Sequence, residues 1–199
     1  MQTPLERNSV MKIATLVLVT RTNGGVQELL LARKKEGEIG IGFYSPPGGK
    51  VEKGETLETT CVRETLEEMG FLVDERALTE LAVLDVHRAV LTGYEEGALP
   101  PEDSEEALDS LYEPFMRVFV FQTENFSGEP RETSDMEQPH WWRTDALPYD
   151  AMYCGDKHWM KHLLCEKPLK RRFVVYRYNG VFRMMESHAL LPFNELMET

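Results

Sequence analysis

The chain has 199 residues, 42% of them apolar, which is enough to bury a sizeable core in one unit. Its formal charge of -12 argues against sequence-independent duplex binding, because displacing counterions from a phosphate backbone takes a basic surface. Cys61, Cys154 and Cys165 are odd in number, widely spaced and without a CxxC pair, which argues against a disulfide framework or a structural zinc site and suits a reducing compartment.

Residues 1–11 include Glu6 and no apolar run, so they are expected to form an N-terminal arm, neither signal peptide nor membrane anchor, ahead of a single domain over 12–199. A soluble, cytoplasmic protein with no membrane or nucleic-acid partner is expected, with a nuclear or organellar pool left open. The stretch Lys12 to Thr20 is β-rich, and the turn signal TNGG at 22–25 leads to a second strand over Glu28 to Lys35, giving a hairpin. Pro46, Pro47, Gly48 and Gly49 break the chain, Lys50 and Val51 are extended, and Lys53-Gly54 turns. From Thr56 to Met69 apolar residues recur at helical spacing, with Thr56 placed to cap the start and Gly70 the end.

Strands are expected within Leu78 to Leu91 and over Phe115 to Thr123. Between them an acidic, proline-containing insertion at about 93–114 reads as a solvated loop, with a lid over the site as the alternative. A strand is expected at His140 to Arg143, and a turn at Asp145 to Pro148. An amphipathic helix over Asp156 to Glu166 would bury Trp159, Met160, Leu163 and Leu164, and the chain closes in a hairpin turning at Asn179-Gly180. No βαβ rhythm and no GxGxxG occur, so the fold class is α+β, a mixed sheet sandwiched between helices, rather than a doubly wound nucleotide fold.

Glu64, Glu67 and Glu68 share one face of the predicted helix and can converge there. Carboxylates held together repel unless a cation neutralises them, and hard oxygen ligands suit Mg2+ or Mn2+, which polarise phosphate oxygens and activate water. Arg63 can pair with Glu67 or with Glu55 and orient the cluster. His158, His162 and Glu166 also recur at helical spacing, but with no further ligand they read as a solvated face, and Trp141, Trp142 and Trp159 read as core or pocket walls.

From Gly49 the sequence runs GKVEKGETLETTCVRETLEEMGF and resembles the Nudix box, with Gly49, Glu55, Arg63, Glu64, Glu67, Glu68 and Gly70 in register; Thr65 and Phe71 stand where aliphatic residues are expected. The resemblance implies a Nudix fold, a mixed β-sheet sandwich with a loop-helix-loop catalytic box, and magnesium-dependent hydrolysis of a nucleoside diphosphate linkage. It also implies metal ligation by Glu64, Glu67 and Glu68, with the Gly49 carbonyl and a further acid, Glu137 or next Asp135, completing the site. Across ATLVLVT, ARKK, FYSPPGGKVEKGE and ETSDMEQPHWWRTDALPYDAMY the chain is most similar to the MutT homologues that hydrolyse oxidised purine nucleoside triphosphates such as 8-oxo-dGTP. That likeness implies a monomer and a nucleotide site formed by Thr15, Lys34, Ser45, Gly48, Lys50, Tyr153 and Asp156, with Tyr153 stacking on the base and Asp156 reading its edge. Ser45 replaces a base-reading Asn of that family, and Gly155-Asp156 replaces an aspartate pair. Another Nudix substrate, such as ADP-ribose or a dinucleoside polyphosphate, and a silent nucleotide-binding module are the other readings.

Overall fold

The computed structural model describes residues 11–36, 40–88, 116–153, 156–165, 171–178 and 181–187. Strand β1 (Lys12–Asn23) turns through Gly24 and Gly25 into β2 (Val26–Lys34). Both glycines have positive φ, 58° and 81°, which is the conformation a two-residue hairpin turn demands and a Cβ resists. The chain continues through β3 (Tyr44–Ser45), α1 (Leu57–Met69), β4 (Leu72–Val73), β5 (Thr79–Arg88), β6 (Met116–Thr123), β7 (Phe126–Ser127) and β8 (Met136–Arg143). Helix α2 (Asp156–Cys165) and the antiparallel pair β9 (Arg171–Tyr178) and β10 (Val181–Ser187) follow.

Strand β1 belongs to two pairings. Lys12 to Val19 run parallel to β6, and Thr20 to Asn23 run antiparallel to β2. The strand order is β10-β9-β5-β6-β1-β2-β3, with β8 on β2, and β4 and β7 form a separate small pair. This is a mixed sheet, as expected, and both of its faces are apolar. On one face Ala14, Leu18, Leu31, Leu84 and Val118 pack with Trp159, Met160 and Leu163 of α2; on the other, Val17, Val19, Leu30, Val83 and Phe119 pack with Cys61 and Met69 of α1. Alternation along β1 thus sends odd residues to α1 and even ones to α2, which is the layered sandwich the sequence predicts.

Two features depart from the expected elements. Strand β8 starts at Met136 rather than His140, because Gln138, at φ 52°, is a bulge: the pairing passes from Leu31–His140 to Arg33–Glu137, so β8 carries one more residue than β2 across that step. In sequence the run EQPH hides this strand, since polar residues and Pro139 mask the alternation. In β5 and β6, Asp85 and Arg117 are register partners on the α1 side and form a buried ion pair, with Nε donating to Oδ1 at 2.6 Å and Nη2 to Oδ2 at 3.3 Å. The predicted N-terminal arm, the acidic insertion, Glu166 and the Asn179-Gly180 turn lie outside the described residues.

Candidate active site

Three backbone hydrogen bonds seat the glycine-rich loop on β1: Thr15 N–H to the Gly49 carbonyl (2.8 Å), Val17 N–H to the Pro47 carbonyl (2.9 Å) and Val51 N–H to the Ile13 carbonyl (3.0 Å). The fit requires glycine at Gly48, where backbone crowds in, and at Gly49 a side chain would displace the Glu64 carboxylate. A Cβ on Gly48 would lie 2.1 Å from the Thr15 carbonyl oxygen, and one on Gly49 2.2 Å from Glu64 Oε1. After the loop, Thr56 caps α1 by accepting from Thr59 N–H at 3.1 Å, while Thr59 Oγ1 accepts from Thr56 N–H at 2.9 Å. Gly70 closes the helix with φ 73° and donates its N–H to the Leu66 carbonyl.

Arg63 is the hub of the cluster. It donates to both oxygens of Glu55 (2.7 and 3.0 Å), to Glu64 Oε1 (2.7 Å), to Glu67 Oε2 (3.0 Å) and to the Lys50 carbonyl (3.0 Å). Both pairings proposed from sequence therefore exist together. The Arg63 guanidinium, with bonds from Glu52 N–H and Thr60 Oγ1, holds the Glu55 carboxyl down at about 2. The Arg63 cation is correspondingly raised by its carboxylates, Glu55 foremost.

Glu68 is buried, 6% exposed, with Oε2 accepting the Gly48 N–H at 2.8 Å and Oε1 3.6 Å from Lys34 Nζ. Burial pushes its carboxyl up to about 7 against the opposing pull of Lys34 and the Gly48 amide. Burial likewise raises Glu64, against Arg63. Glu67 points outward, its side chain 54% exposed. The expected convergence of three glutamates is thus not what the side chains show: among the described residues no three His, Cys, Asp or Glu groups meet closely enough to hold a metal ion. Arg63 Nη1 holds Glu64 and Glu67 together, while Lys34 and the Gly48 amide draw Glu68 away from them. The donor set still fits a hard divalent cation, since burial raises the Glu64 and Glu68 carboxyls, a cost a cation would relieve.

The structure places the other candidates as follows. Lys34 lies against Glu68, and Gly48 donates to it, so these two join the cluster; Lys50 contributes its carbonyl to Arg63 while its side chain is exposed. Thr15 projects to the α1 side, 1% exposed, toward Cys61. On the buried face of α1, burial pushes the Cys61 thiol up to about 12, against the opposing pull of Thr15. Ser45 pairs with Ala32 in register, and its hydroxyl donates to the Pro46 carbonyl. Glu137 is not brought to the glutamates: Arg33 and Lys34 are consecutive and face opposite ways, and Glu137 lies 3.6 Å from Arg33 while Lys34 meets Glu68. Asp135 uses its backbone, its carbonyl accepting from Lys35 N–H at 2.7 Å.

Tyr153 and Asp156 form a second group. The Tyr153 ring meets Phe43 edge-on, with centroids 6.2 Å apart, and the Tyr153 carbonyl accepts the Asp156 N–H at 2.9 Å. Burial pushes the Asp156 carboxyl up to about 7, although Trp159 Nε1 donates to it at 3.2 Å. Sequence reasoning missed Phe43, which follows a glycine-rich turn and adjoins Tyr44, and Thr133, which carries no motif at all. Thr133 Oγ1 donates to the Glu68 carbonyl at 2.8 Å.

The sequence matches the NUDIX domain over residues 11–163. It is 33% identical over 165 residues to an oxidized purine nucleoside triphosphate hydrolase of Danio rerio, covering 83% of this chain and 85% of the relative. To the protein of that name from Mus musculus it is 28% identical over 186 residues, covering 94% and 95%. The crystal structure of a MutT protein from Bacillus halodurans is similar in fold, with a TM-score of 0.60 at 21% identity, covering 87% of this chain and 97% of that one.

Proposed function

Because the chain belongs to the NUDIX domain family and is a Nudix pyrophosphohydrolase, we propose that it converts a purine (deoxy)nucleoside triphosphate, oxidised purines such as 8-oxo-dGTP included, to the monophosphate and pyrophosphate. The observation that carries the chemistry is the pair of desolvated carboxylates, Glu64 and Glu68, held against Gly48 and Gly49 by Arg63 and Lys34. Likeness along most of the chain to two curated oxidized purine nucleoside triphosphate hydrolases supports the substrate.

In this reading Glu64, Glu67 and Glu68, with the Gly49 carbonyl, hold Mg2+ or Mn2+, which when bound polarises the phosphate and lowers the pKa of water. Arg63 keeps Glu55 ionised and fixes the rotamers of Glu64 and Glu67, so the ligand oxygens are oriented before substrate arrives. Lys34 sets positive charge beside Glu68 and offsets the charge of the phosphate chain. Having no side chains, Gly48 and Gly49 let that chain approach the backbone closely. At the other end Tyr153 and Phe43 give the base an aromatic wall, and Asp156, whose carboxyl sits near its titration midpoint at neutral pH, reads the base edge as donor or acceptor. The protein acts as a monomer.

The test is magnesium-dependent pyrophosphate release from 8-oxo-dGTP, dGTP and dATP, and monophosphate release from ADP-ribose and a dinucleoside polyphosphate, compared by kcat/KM. A preference for 8-oxo-dGTP supports the reading. A preference for ADP-ribose or the dinucleoside polyphosphate keeps the hydrolase and overturns the substrate. Glu67→Gln and Glu68→Gln are each expected to lose more kcat than the about 10- to 100-fold that losing a residue that merely orients a metal ligand costs; full magnesium-dependent turnover in both would overturn the mechanism.

A further inference from the structure

The last carbonyls of α1 have no intrahelical partner and no basic residue in the final turn to complement them. The segment 131–136 supplies what is missing. Arg131 N–H donates to the Met69 carbonyl at 2.9 Å, and the Thr133 hydroxyl donates to the Glu68 carbonyl at 2.8 Å. Thr133 is itself fixed from several directions: its N–H donates to the Met136 carbonyl (2.9 Å), its hydroxyl oxygen accepts from Asp135 and Met136 N–H (both 3.2 Å), and its carbonyl accepts from Lys35 Nζ at 2.6 Å. Lys35 follows Lys34, the cation beside the Glu68 carboxylate. One residue therefore references both the backbone of Glu68 and the strand that carries its counter-charge.

We infer that Thr133 is a positioning residue for the hydrolytic site, fixing the Glu68 backbone so that its carboxylate stays on the Gly48 amide; this rests on the proposal that Glu68 serves catalysis. A hydroxyl is what the place requires. It must donate to a helix carbonyl while accepting two amides from the following turn, and valine, of similar shape, does neither. Leverage is high because Glu68 Oε2 meets Gly48 N–H at 2.8 Å in a loop where not even a Cβ fits, so a small slip of the last helical turn breaks that contact.

Thr133→Val and Thr133→Ser are compared with the full-length wild type by two readouts. The first is exchange of the Gly48 amide hydrogen in the metal-free protein, followed by NMR; the second is the kcat-against-KM split for 8-oxo-dGTP with magnesium. In Thr133→Val the Gly48 amide is expected to exchange about tenfold faster, the worth of one net hydrogen bond. Core amides such as Leu30 should keep their protection, and kcat should fall about tenfold with KM within twofold. Thr133→Ser should restore both. Unchanged Gly48 exchange in Thr133→Val overturns the inference, as does faster exchange spread equally over the core, which marks a merely structural role. So does a lost kcat that serine fails to restore. Were the wild type inactive on every nucleotide, the proposed substrate would fall while the exchange readout still judged Thr133.

Discussion

At the scale of the residue, Arg63 shows how one side chain can orient several others. Its fork binds both oxygens of Glu55 and reaches Glu64 and Glu67 as well. Lysine carries the charge but not the planar fork, so Arg63→Lys is expected to lose kcat/KM nearly as far as Arg63→Ala, on the order of 10- to 100-fold. Lysine restoring wild-type turnover would show that charge alone matters there. Asp156 gives a pH prediction. Its carboxyl is raised to about 7 from the ordinary 3.8, so the folded chain binds more protons than the unfolded chain between about pH 4 and 7, and stability falls as pH rises through that window. Asp156→Asn removes this titration, so the wild-type Tm should drop relative to the variant's between pH 5 and 8. Parallel Tm curves for the two proteins would contradict a desolvated Asp156.

At the scale of the element, helix α1 was legible from sequence to within a residue at each end, because cap, apolar period and terminal glycine all agree. Cap losses should be correspondingly modest: Thr56→Ala costs about 1 kcal/mol, read as a shift in the denaturation midpoint with activity per folded molecule retained. The arrangement of the glutamates was less legible. Spacing put Glu64, Glu67 and Glu68 on one face, but whether their carboxylates meet depends on Arg63, Lys34 and the Gly48 amide, which lie on other elements or compete along the same helix. Glu137 could not be placed from sequence for a related reason. The bulge at Gln138 shifts the register between β8 and β2, and one extra residue exchanges the faces of its neighbours. Thr133 was invisible because hydroxyl contacts across 65 residues leave no local pattern.

At the scale of the whole molecule, the buried Asp85–Arg117 pair joins β5 to β6 on the mainly apolar face that packs against α1. Taking one charge from such a pair strips the other of its ion-pair partner in a desolvated place. Arg117→Met is therefore expected to lose about 3–5 kcal/mol in chemical denaturation, and a second change, Asp85→Leu, to recover most of it. A single variant as stable as the wild type would show that water already reaches the pair. Described helices give no membrane-crossing segment.

The doubled pairing of β1 also sets a timetable. Glu55, Glu64, Glu67 and Glu68 of the box all lie between residues 55 and 68, yet the strand that seats the glycine loop is held along Lys12 to Val19 by β6, which arrives only with residues 116–123. Contacts separated by about 100 residues close slowly, because the intervening chain must give up its freedom before they form. On the ribosome the box is made early and assembled late. A nascent chain ending before β6 carries the four glutamates of the cluster without the strand that holds β1 in place, and its exposed β1 edge is open to wrong partners until the second half of the protein emerges.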